Sequence, residues 1–163
     1  MVVRAAAVED ADTVAAIWAE GWRDGHLGHV HEELVVVRTD ESFLARTRQR
    51  IAGTDDTMVA ELGGDVVGFV MVDDDEVEQV YVAAAARGSG VAAALLDEAE
   101  RRVRAAGHQA AWLAVVAGNA RARRFYARCG WWDAGAFDYE AAGPDGPIVV
   151  PSHRYEKRLD GYG

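Results

Sequence analysis

The sequence has little cysteine and no long apolar run, and each absence excludes a class of protein. The single cysteine, Cys129, excludes an internal disulfide and argues against a zinc cluster. No stretch approaches the roughly 18 to 20 uncharged apolar residues that a membrane helix needs. The N-terminal residues meet acid at Glu9 without a basic segment and a long apolar run, so we expect no secretory signal. Together these features predict a cytoplasmic protein with no membrane partner.

Basic residues are also in the minority. The chain of 163 residues has 17 lysines and arginines against 27 aspartates and glutamates, a net charge of −10. An acidic protein repels the phosphates of nucleic acids, so we expect no nucleic-acid partner. Half of the residues are apolar, which is enough for one buried core. We therefore expect a single domain over residues 1–163.

The hydrophobic pattern predicts seven strands and four helices in one α/β domain with a mixed sheet. The first helix is expected to begin at Asp10, and the segment 25–31, rich in glycine and histidine, is expected to be irregular. The other helices are predicted at 40–53, 90–106 and 119–129. The strands are predicted at 2–6, 57–62, 66–72, 76–82, 111–116, 131–139 and 149–159.

The most informative segment joins a strand to a helix through a turn that contains glycine. The strand ends in Val80-Tyr81-Val82, and residues 87–92, Arg-Gly-Ser-Gly-Val-Ala, open the helix. Glycines allow a close approach of the backbone, and the free N–H groups and dipole of the first helical turn attract an anion such as a pyrophosphate. The alternative is a tight connection in which the glycines serve only the turn. A Walker loop and a dinucleotide fingerprint both require residues that are missing here.

A second segment places an asparagine and a tyrosine two helical turns apart. Tyr126 follows Asn119 by seven residues, so both side chains can lie on the same side of a helix. A tyrosine hydroxyl near a thioester sulfur could protonate the departing thiolate. The alternative is that Asn119 caps the helix and Tyr126 is an ordinary half-buried aromatic residue.

Together the two segments resemble the GNAT superfamily of acyl-CoA-dependent N-acetyltransferases. The acyl-CoA signature of that family, Gln/Arg-x-x-Gly-x-Gly/Ala, is satisfied by residues 87–92, and its later marks are matched in order by Asn119, Tyr126, Gly130 and Trp131. The resemblance runs from about residue 2 to residue 159. It implies a GNAT-like fold, a twisted mixed sheet of about seven strands flanked by about four helices. The sheet would be splayed between the fourth and fifth strands, with acetyl-CoA in the cleft.

The resemblance also implies roles for the matching positions. The backbone around Tyr81, at Val80 and Val82, would hydrogen-bond the pantetheine arm and the acetyl carbonyl. Asn119 would contact the pantetheine region, and Tyr126 would be the general acid. In such enzymes the amine attacks the thioester directly, which makes the thiol of Cys129 a poor candidate for a nucleophile. The pyrophosphate would be held by Arg87, Gly88, Ser89, Gly90, Val91 and Ala92.

The general base is left open between two glutamates on the fourth strand. Glu76 and Glu78 are expected to alternate on the strand face that carries Val80, and either could relay a proton through water. Glu78 is preferred because it is nearer the splay, and the alternative is a solvated acidic strand end. Some protein N-terminal acetyltransferases of the family carry a glutamate base where Ala114 stands here, so a ribosomal-protein substrate is less expected.

The acceptor pocket is expected between the first two helices and the last two strands. Trp22, His26, His29 and Glu76 are its candidate substrate contacts, and Trp18, His31 and His153 are further candidates. No metal is expected, because no carboxylate or cysteine accompanies the histidines at ligand-like spacing. The expected reaction acetylates a primary amine of a small metabolite, an amino acid or an antibiotic-like amine. The alternatives are a peptide or protein amine, or a non-catalytic acyl-CoA-binding domain. Homodimers are common among similar proteins, so a homodimer is a further expectation.

Overall fold

The computed structural model describes residues 1–53 and 56–159. These residues contain seven strands and five α-helices. The strands are β1 (Val2–Ala5), β2 (Thr57–Leu62), β3 (Asp65–Asp73), β4 (Glu76–Val82), β5 (Ala110–Val116), β6 (Trp132–Ala141) and β7 (Ile148–Arg158). The helices are α1 (Ala11–His26), α2 (Glu32–Val37), α3 (Asp40–Gly53), α4 (Val91–Ala105) and α5 (Ala120–Arg128).

The strands form one mixed sheet that is splayed near its centre, as the resemblance implied. Their order is β1-β2-β3-β4-β5-β7-β6, and the only parallel neighbours in the described sheet are β4 and β5. These two strands pair at a single position, Glu76 with Trp112, where the Trp112 amide donates to the Asp75 carbonyl at 3.1 Å. Beyond this point the two strands separate. The remainder of β4 therefore has a partner strand on one side only.

Each face of the sheet carries a separate apolar core. On one face, α4 buries residues at helical spacing, among them Val91, Leu95 and Val103, against the sheet. On the other face, the aromatic rings of Trp18 and Phe43 bring α1 and α3 together over the sheet. In the described part of the chain, no helix is both long and apolar enough to cross a membrane.

The structure adds a short fifth helix, α2, to the four that were expected. Its sequence, Glu-Glu-Leu-Val-Val-Val, is only six residues long and rich in β-branched side chains, which have low helix propensity. The burial of Leu34 in the core beneath α1 favours the helix in spite of that propensity. In addition, α1 extends to His26, so the expected irregular segment begins after that residue.

A bulge in β4 changes which side chains share a face. Residues Met71 and Val72 of β3 pair with Gln79 and Val77 of β4, so Glu78 is an extra residue on β4. Val77 consequently lies in the same core as Val80, whereas strict alternation would put these two residues on opposite faces. The expectation that Glu76 and Glu78 share the face of Val80 was wrong for this reason.

Candidate active site

The cleft between β4 and β5 exposes backbone groups that have no partner strand. The Ala83 amide donates to the Val67 carbonyl of the adjoining segment at 2.8 Å, which marks a hydrogen-bonded pair of the antiparallel ladder. Such pairs alternate along antiparallel strands. The N–H groups of Val80 and Val82 are therefore directed away from β3 and toward the cleft. No β5 residue pairs with either of them in the described sheet. This register gives the cleft two free amide donors.

The turn before α4 exposes a second set of amide donors. Gly88 and Gly90 have φ values of +79° and +86°, a backbone conformation that strains any residue with a side chain. The first hydrogen bond at this end of the helix comes from the Ala94 amide to the Gly90 carbonyl. Within the described chain, no hydrogen bond uses the N–H groups of Gly88, Gly90 or the three residues that follow. These donors and the helix dipole form a site that can hold a pyrophosphate.

The Arg87 side chain lies beside this turn but is already paired. Its guanidinium binds the Asp24 carboxylate of α1 at 2.8 Å. Both residues line a surface pocket together with His29 and Arg121. A Cβ built on Gly118 would collide with the His29 ring, so His29 fits this pocket because residue 118 is a glycine. His29 was expected in the acceptor pocket, and the structure places it here instead.

Asn119 and Tyr126 reach the cleft from α5. The Asn119 side-chain oxygen accepts from the Ala122 amide at 3.2 Å and caps the helix. Tyr126 packs against the Trp131 and Tyr155 rings, and no hydrogen-bond partner of its hydroxyl occurs in the described residues. Burial raises the pKa of Tyr126, with a smaller contribution from Cys129. The phenol therefore stays protonated at neutral pH, as a general acid must.

A cavity of about 320 Å³ continues from the cleft to the far side of the sheet. Val80, Asn119 and Tyr126 line its cleft end, and Ala114 stands in its wall. The other walls come from β4, from three helices, from the end of β6 and from the first part of β7. They include Trp18, Trp22, His26, Leu34, Arg38, Arg46, Glu76, Glu78, Tyr139, Ala142, Val150 and Ser152.

One acidic side chain of this cavity, Glu76, has a strongly raised pKa. Burial raises the pKa of Glu76 to about 7, and the charges of Glu78, Asp73 and Asp75 add to the increase. The Tyr139 hydroxyl donates to Glu76 at 2.9 Å, which opposes the increase because it stabilises the carboxylate. A carboxyl with a pKa near 7 can accept a proton and release it again at neutral pH. Tyr139 was not anticipated, because its strand is far from Glu76 in sequence.

Glu78, the preferred base on sequence grounds, has a different environment. Its carboxylate is bound by the Arg50 guanidinium of α3 at 2.9 Å, and Arg50 also donates to the Val72 carbonyl at 3.1 Å. The Glu78 carboxylate is therefore engaged by a residue of α3. The two glutamates line the same cavity but differ in their partners.

The histidines expected near the acceptor divide into two groups. His26 lies in the cavity, stacked on Trp22 with ring centroids 4.5 Å apart, and its Nδ1 donates to the Trp22 carbonyl at 2.9 Å. Burial lowers the pKa of His26 to about 4, so its ring is neutral. His153 instead contacts Asp133 at 2.9 Å, and His31 precedes α2 with an exposed side chain. No group of three or more metal-binding side chains comes together in the described chain.

Two arginines in the cavity were missed by the sequence analysis. Arg38, which follows α2, is 7% exposed and donates to the Ala142 carbonyl at the end of β6. Arg46, on α3, lies over the Trp18 ring at 4.5 Å from its centroid. Burial lowers the pKa of Arg38 to about 10, and it also lowers the pKa of Arg46. Both guanidinium groups are charged at neutral pH. No local motif marks these arginines, since only the tertiary fold brings them to the cavity.

Comparison with known proteins assigns the family. The sequence profile of the acetyltransferase (GNAT) family matches residues 13–131. The chain belongs to the GNAT family. An uncharacterized N-acetyltransferase of Archaeoglobus fulgidus is 29% identical to this GNAT protein over 138 residues, which are 78% of this chain and 90% of the relative.

Solved structures share the fold along nearly the whole chain. A GCN5-related N-acetyltransferase from Rhodopseudomonas palustris has a TM-score of 0.74 and 22% identity, over 96% of this chain and 94% of its own. The yncA acetyltransferase of Salmonella typhimurium, solved with acetyl-CoA, has a TM-score of 0.69 and 20% identity. The match covers 100% of this chain and 96% of the Salmonella chain. This GNAT protein is an acyl-CoA-dependent acetyltransferase with the family fold.

Proposed function

We propose that the protein transfers the acetyl group of acetyl-CoA to a primary amine of a small molecule bound in the cavity. The observation that carries this proposal is the continuity of one cavity from the β4–β5 cleft to Glu76. Val80 and Tyr126 line one end, and Glu76 and Tyr139 line the other. An acyl donor in the cleft and an amine beside Glu76 would therefore share one cavity.

The walls of the cavity favour a small acceptor over a protein. Arg38 links the end of α2 to the Ala142 carbonyl, across 104 residues of sequence, and this hydrogen bond joins two walls of the cavity. The volume of about 320 Å³ lies at the small end of the range for ligand sites. A peptide acceptor would need an open groove at this position. Ala114 supplies no carboxylate for the base that some protein N-terminal acetyltransferases use.

Acetyl-CoA fits the groups that the cleft presents. Its pyrophosphate would bind the amides of Gly88, Gly90, Val91 and Ala92 at the start of α4, with the Arg87 charge beside them. The pantetheine arm would bind the free amides of Val80 and Val82 and the side chain of Asn119. The bound thioester supplies an activated carbonyl carbon for attack by the amine.

Glu76 is the proposed general base. The acceptor amine must lose a proton as its nitrogen bonds to the carbonyl carbon, and Glu76 receives this proton, directly or through water. A pKa of about 7 suits this role, whereas the His26 ring, with a pKa of about 4, is a much weaker base. The Glu78 carboxylate is engaged by the Arg50 guanidinium, so we assign Glu78 to the cavity wall and not to proton transfer.

Tyr126 is the proposed general acid. The carbon–sulfur bond breaks as the new carbon–nitrogen bond forms, and the thiolate takes the phenolic proton of Tyr126. Glu76 then releases its proton to solvent, and the phenolate of Tyr126 takes up a proton. Both groups are thereby restored before the next turnover. The amide of Val80 or Val82 would stabilise negative charge on the carbonyl oxygen.

The test is release of free thiol from acetyl-CoA in the presence of a panel of amines. The panel should include amino acids, polyamines, amino sugars and short peptides, with Glu76→Gln, Tyr126→Phe and Glu78→Gln beside the wild type. Glu20→Gln, on the exposed side of α1, is the matched control. We expect release with one class of small amine, reduced at least tenfold in Glu76→Gln and Tyr126→Phe.

Two results would count against the proposal. Faster reaction with peptides than with small amines would indicate that the acceptor is a protein amine and not a small molecule. Tight acetyl-CoA binding without thiol release on any amine would instead favour a non-catalytic acyl-CoA-binding domain.

A further inference from the structure

Two arginine side chains of the cavity carry positive charge without an acidic partner. In the described residues, neither Arg38 nor Arg46 has a carboxylate oxygen within 4.0 Å. By contrast, Arg4, Arg23 and Arg50 each bind a carboxylate at 2.7 to 2.9 Å. Since acidic residues outnumber basic ones by ten, unpaired arginines inside this protein need an explanation.

Arg38 is buried and Arg46 is half-buried, so a bound anion would stabilise both guanidinium groups. A buried charge loses hydration, and the loss is offset only by a partner charge or by hydrogen bonds. Arg38 donates one N–H to the Ala142 carbonyl, whereas a guanidinium has five N–H donors in all. The ring face of Trp18 and the more distant charge of Glu78 stabilise the positive charge of Arg46. Neither residue forms a direct ion pair with its N–H donors. The two guanidinium groups repel each other as well.

The charges of the cavity are divided between two walls. The helical wall holds Arg38 and Arg46, and the sheet wall holds Glu76 with its partner Tyr139. The rings of Trp18 and Trp22 lie on the helical wall, and Glu140 is exposed at the rim. A molecule with an ammonium group at one end and an acidic group at the other would match this division.

We propose that Arg38 and Arg46 bind an acidic group of the acceptor, so that the substrate is an amino acid or a similar molecule that carries both an amine and an oxyanion. This inference rests on the proposed function, because it assigns the substrate class of the same cavity. The oxyanion is a carboxylate or a tetrahedral phosphonate-type group, since a guanidinium binds both through paired N–H donors.

The first test compares acceptors that differ only in the acidic group. The standard amino acids and 2-aminoethylphosphonate are assayed with acetyl-CoA, and the best acceptor is compared with neutral analogues. For an amino acid these are its amide and the amine that lacks the carboxylate. We expect the acid to have a kcat/KM at least tenfold above those of both analogues, because charge-assisted hydrogen bonds to it are lost in them. A preference for 2-aminoethylphosphonate over every amino acid would identify the tetrahedral group.

The second test asks whether Arg46 produces this preference. Arg46→Gln should raise the KM of the acid at least tenfold, change kcat less, and leave the kinetics of the amide almost unchanged. Arg46→Lys should restore part of the affinity because it keeps the charge. Arg48→Gln is the matched control, since Arg48 is exposed on the same helix and lies 3.8 Å from Asp12, outside the cavity.

Arg38→Gln provides an independent variant, although it also removes the bond to the Ala142 carbonyl. Circular dichroism and the melting temperature establish that each variant is folded. If Arg46→Gln weakens the acid and the amide equally, the arginine has a structural role and the inference is overturned. Equal kcat/KM for acid, amide and amine in the wild type would also overturn it, while the proposed function would stand.

A binding measurement separates failure of this inference from failure of the proposed function. The melting temperature of the CoA-bound protein is followed with each amino acid and with its amide. A stabilisation that is specific to the acid and lost in Arg46→Gln supports the anion site even if no amine is acetylated. Absence of any stabilisation specific to the acid, together with no preference in turnover, overturns it.

Discussion

Replacing Glu76 by glutamine tests the proposed base without removing its hydrogen bond. The glutamine carbonyl can still accept from the Tyr139 hydroxyl, which now lies 2.9 Å from the carboxylate, so the cavity should keep its shape. The variant cannot accept the proton of the acceptor amine. Positioned general bases contribute typically 10²- to 10⁴-fold, and we expect kcat/KM to fall by about 100-fold at pH 7.5.

The pH dependence of the two proteins should differ in a defined direction. The base works in its ionised form, and the pKa of Glu76 is about 7. Ionisation of Glu76 should therefore add about a tenfold rise per pH unit to the wild-type kcat/KM below pH 7 and add no further rise above it. The glutamine variant should keep only the rise that is due to ionisation of the acceptor amine itself.

The same substitution should increase stability at high pH. Because the folded pKa of Glu76 is raised from 4.5 to about 7, the folded protein binds more protons than the unfolded chain between these values. Its unfolding free energy thus falls as the pH rises through this window. A shift of this size would correspond to roughly 3 kcal/mol for a fully buried group, and solvent in the cavity reduces it to about 1 to 2 kcal/mol.

Denaturant unfolding at several pH values measures this difference. Glu76→Gln should be more stable than the wild type at pH 8, and the difference should vanish below about pH 4.5. A variant with normal activity, or one whose stability differs from the wild type equally at pH 5 and pH 8, would refute the reasoning. Loss of the rise below pH 7 in Glu78→Gln instead would reassign the base.

Three further substitutions test other parts of the site. Tyr139→Phe removes the bond that lowers the pKa of Glu76, so the rise in the rate profile should move to higher pH by about 0.5 to 1 unit. Tyr126→Phe should lower kcat at least tenfold at every pH from about 6 to 9, because the raised pKa of Tyr126 keeps the phenol protonated throughout this interval. Pre-steady-state and steady-state thiol release measure the loss. In Gly21→Ala the new methyl group would collide with the Tyr81 ring, and we expect a loss of about 1 to 2 kcal/mol in thermal unfolding.

A glycine without such a neighbour is the control for the last substitution. A Cβ on Gly53, at the end of α3, would meet nothing within 4 Å. Gly53→Ala should therefore be neutral or slightly stabilising, since alanine has the higher helix propensity. Equal melting temperatures for the two alanine variants would contradict the proposed contact of Gly21 with Tyr81.

Much of the fold could be predicted because its signals are local. Alternation, turn glycines and helical periodicity predicted β2 and β4 with the bounds that the structure has, and Gly63-Gly64 marked the hairpin between β2 and β3. The splay was implied by the resemblance, and the single β4–β5 pairing confirms it. The expected homodimer and the single domain over 1–163 remain predictions.

The features that were missed depend on tertiary contacts. The bulge at Glu78 is defined by its pairing with β3, and no residue type marks it in the sequence. The raised pKa of Glu76 requires burial and a tyrosine from β6, which is 63 residues away. Arg38 lies in segment 21–39, where the sequence pattern is weak, whereas Arg46 lies on the predicted helix 40–53, where no motif marks it as a cavity residue. Acceptor contacts therefore could not be read from the sequence in the way that the acyl-CoA motif could.

The central claim is that the acetyl group passes directly to a small amine in the cavity. Mass spectrometry of both the amine and the protein after a single turnover with acetyl-CoA tests it. Cys129 is half-buried, and burial raises the pKa of its thiol, so it should not become acylated. We predict an acetyl group on the amine and none on the protein. An acetylated Cys129 that forms and decays at the rate of turnover would contradict direct transfer.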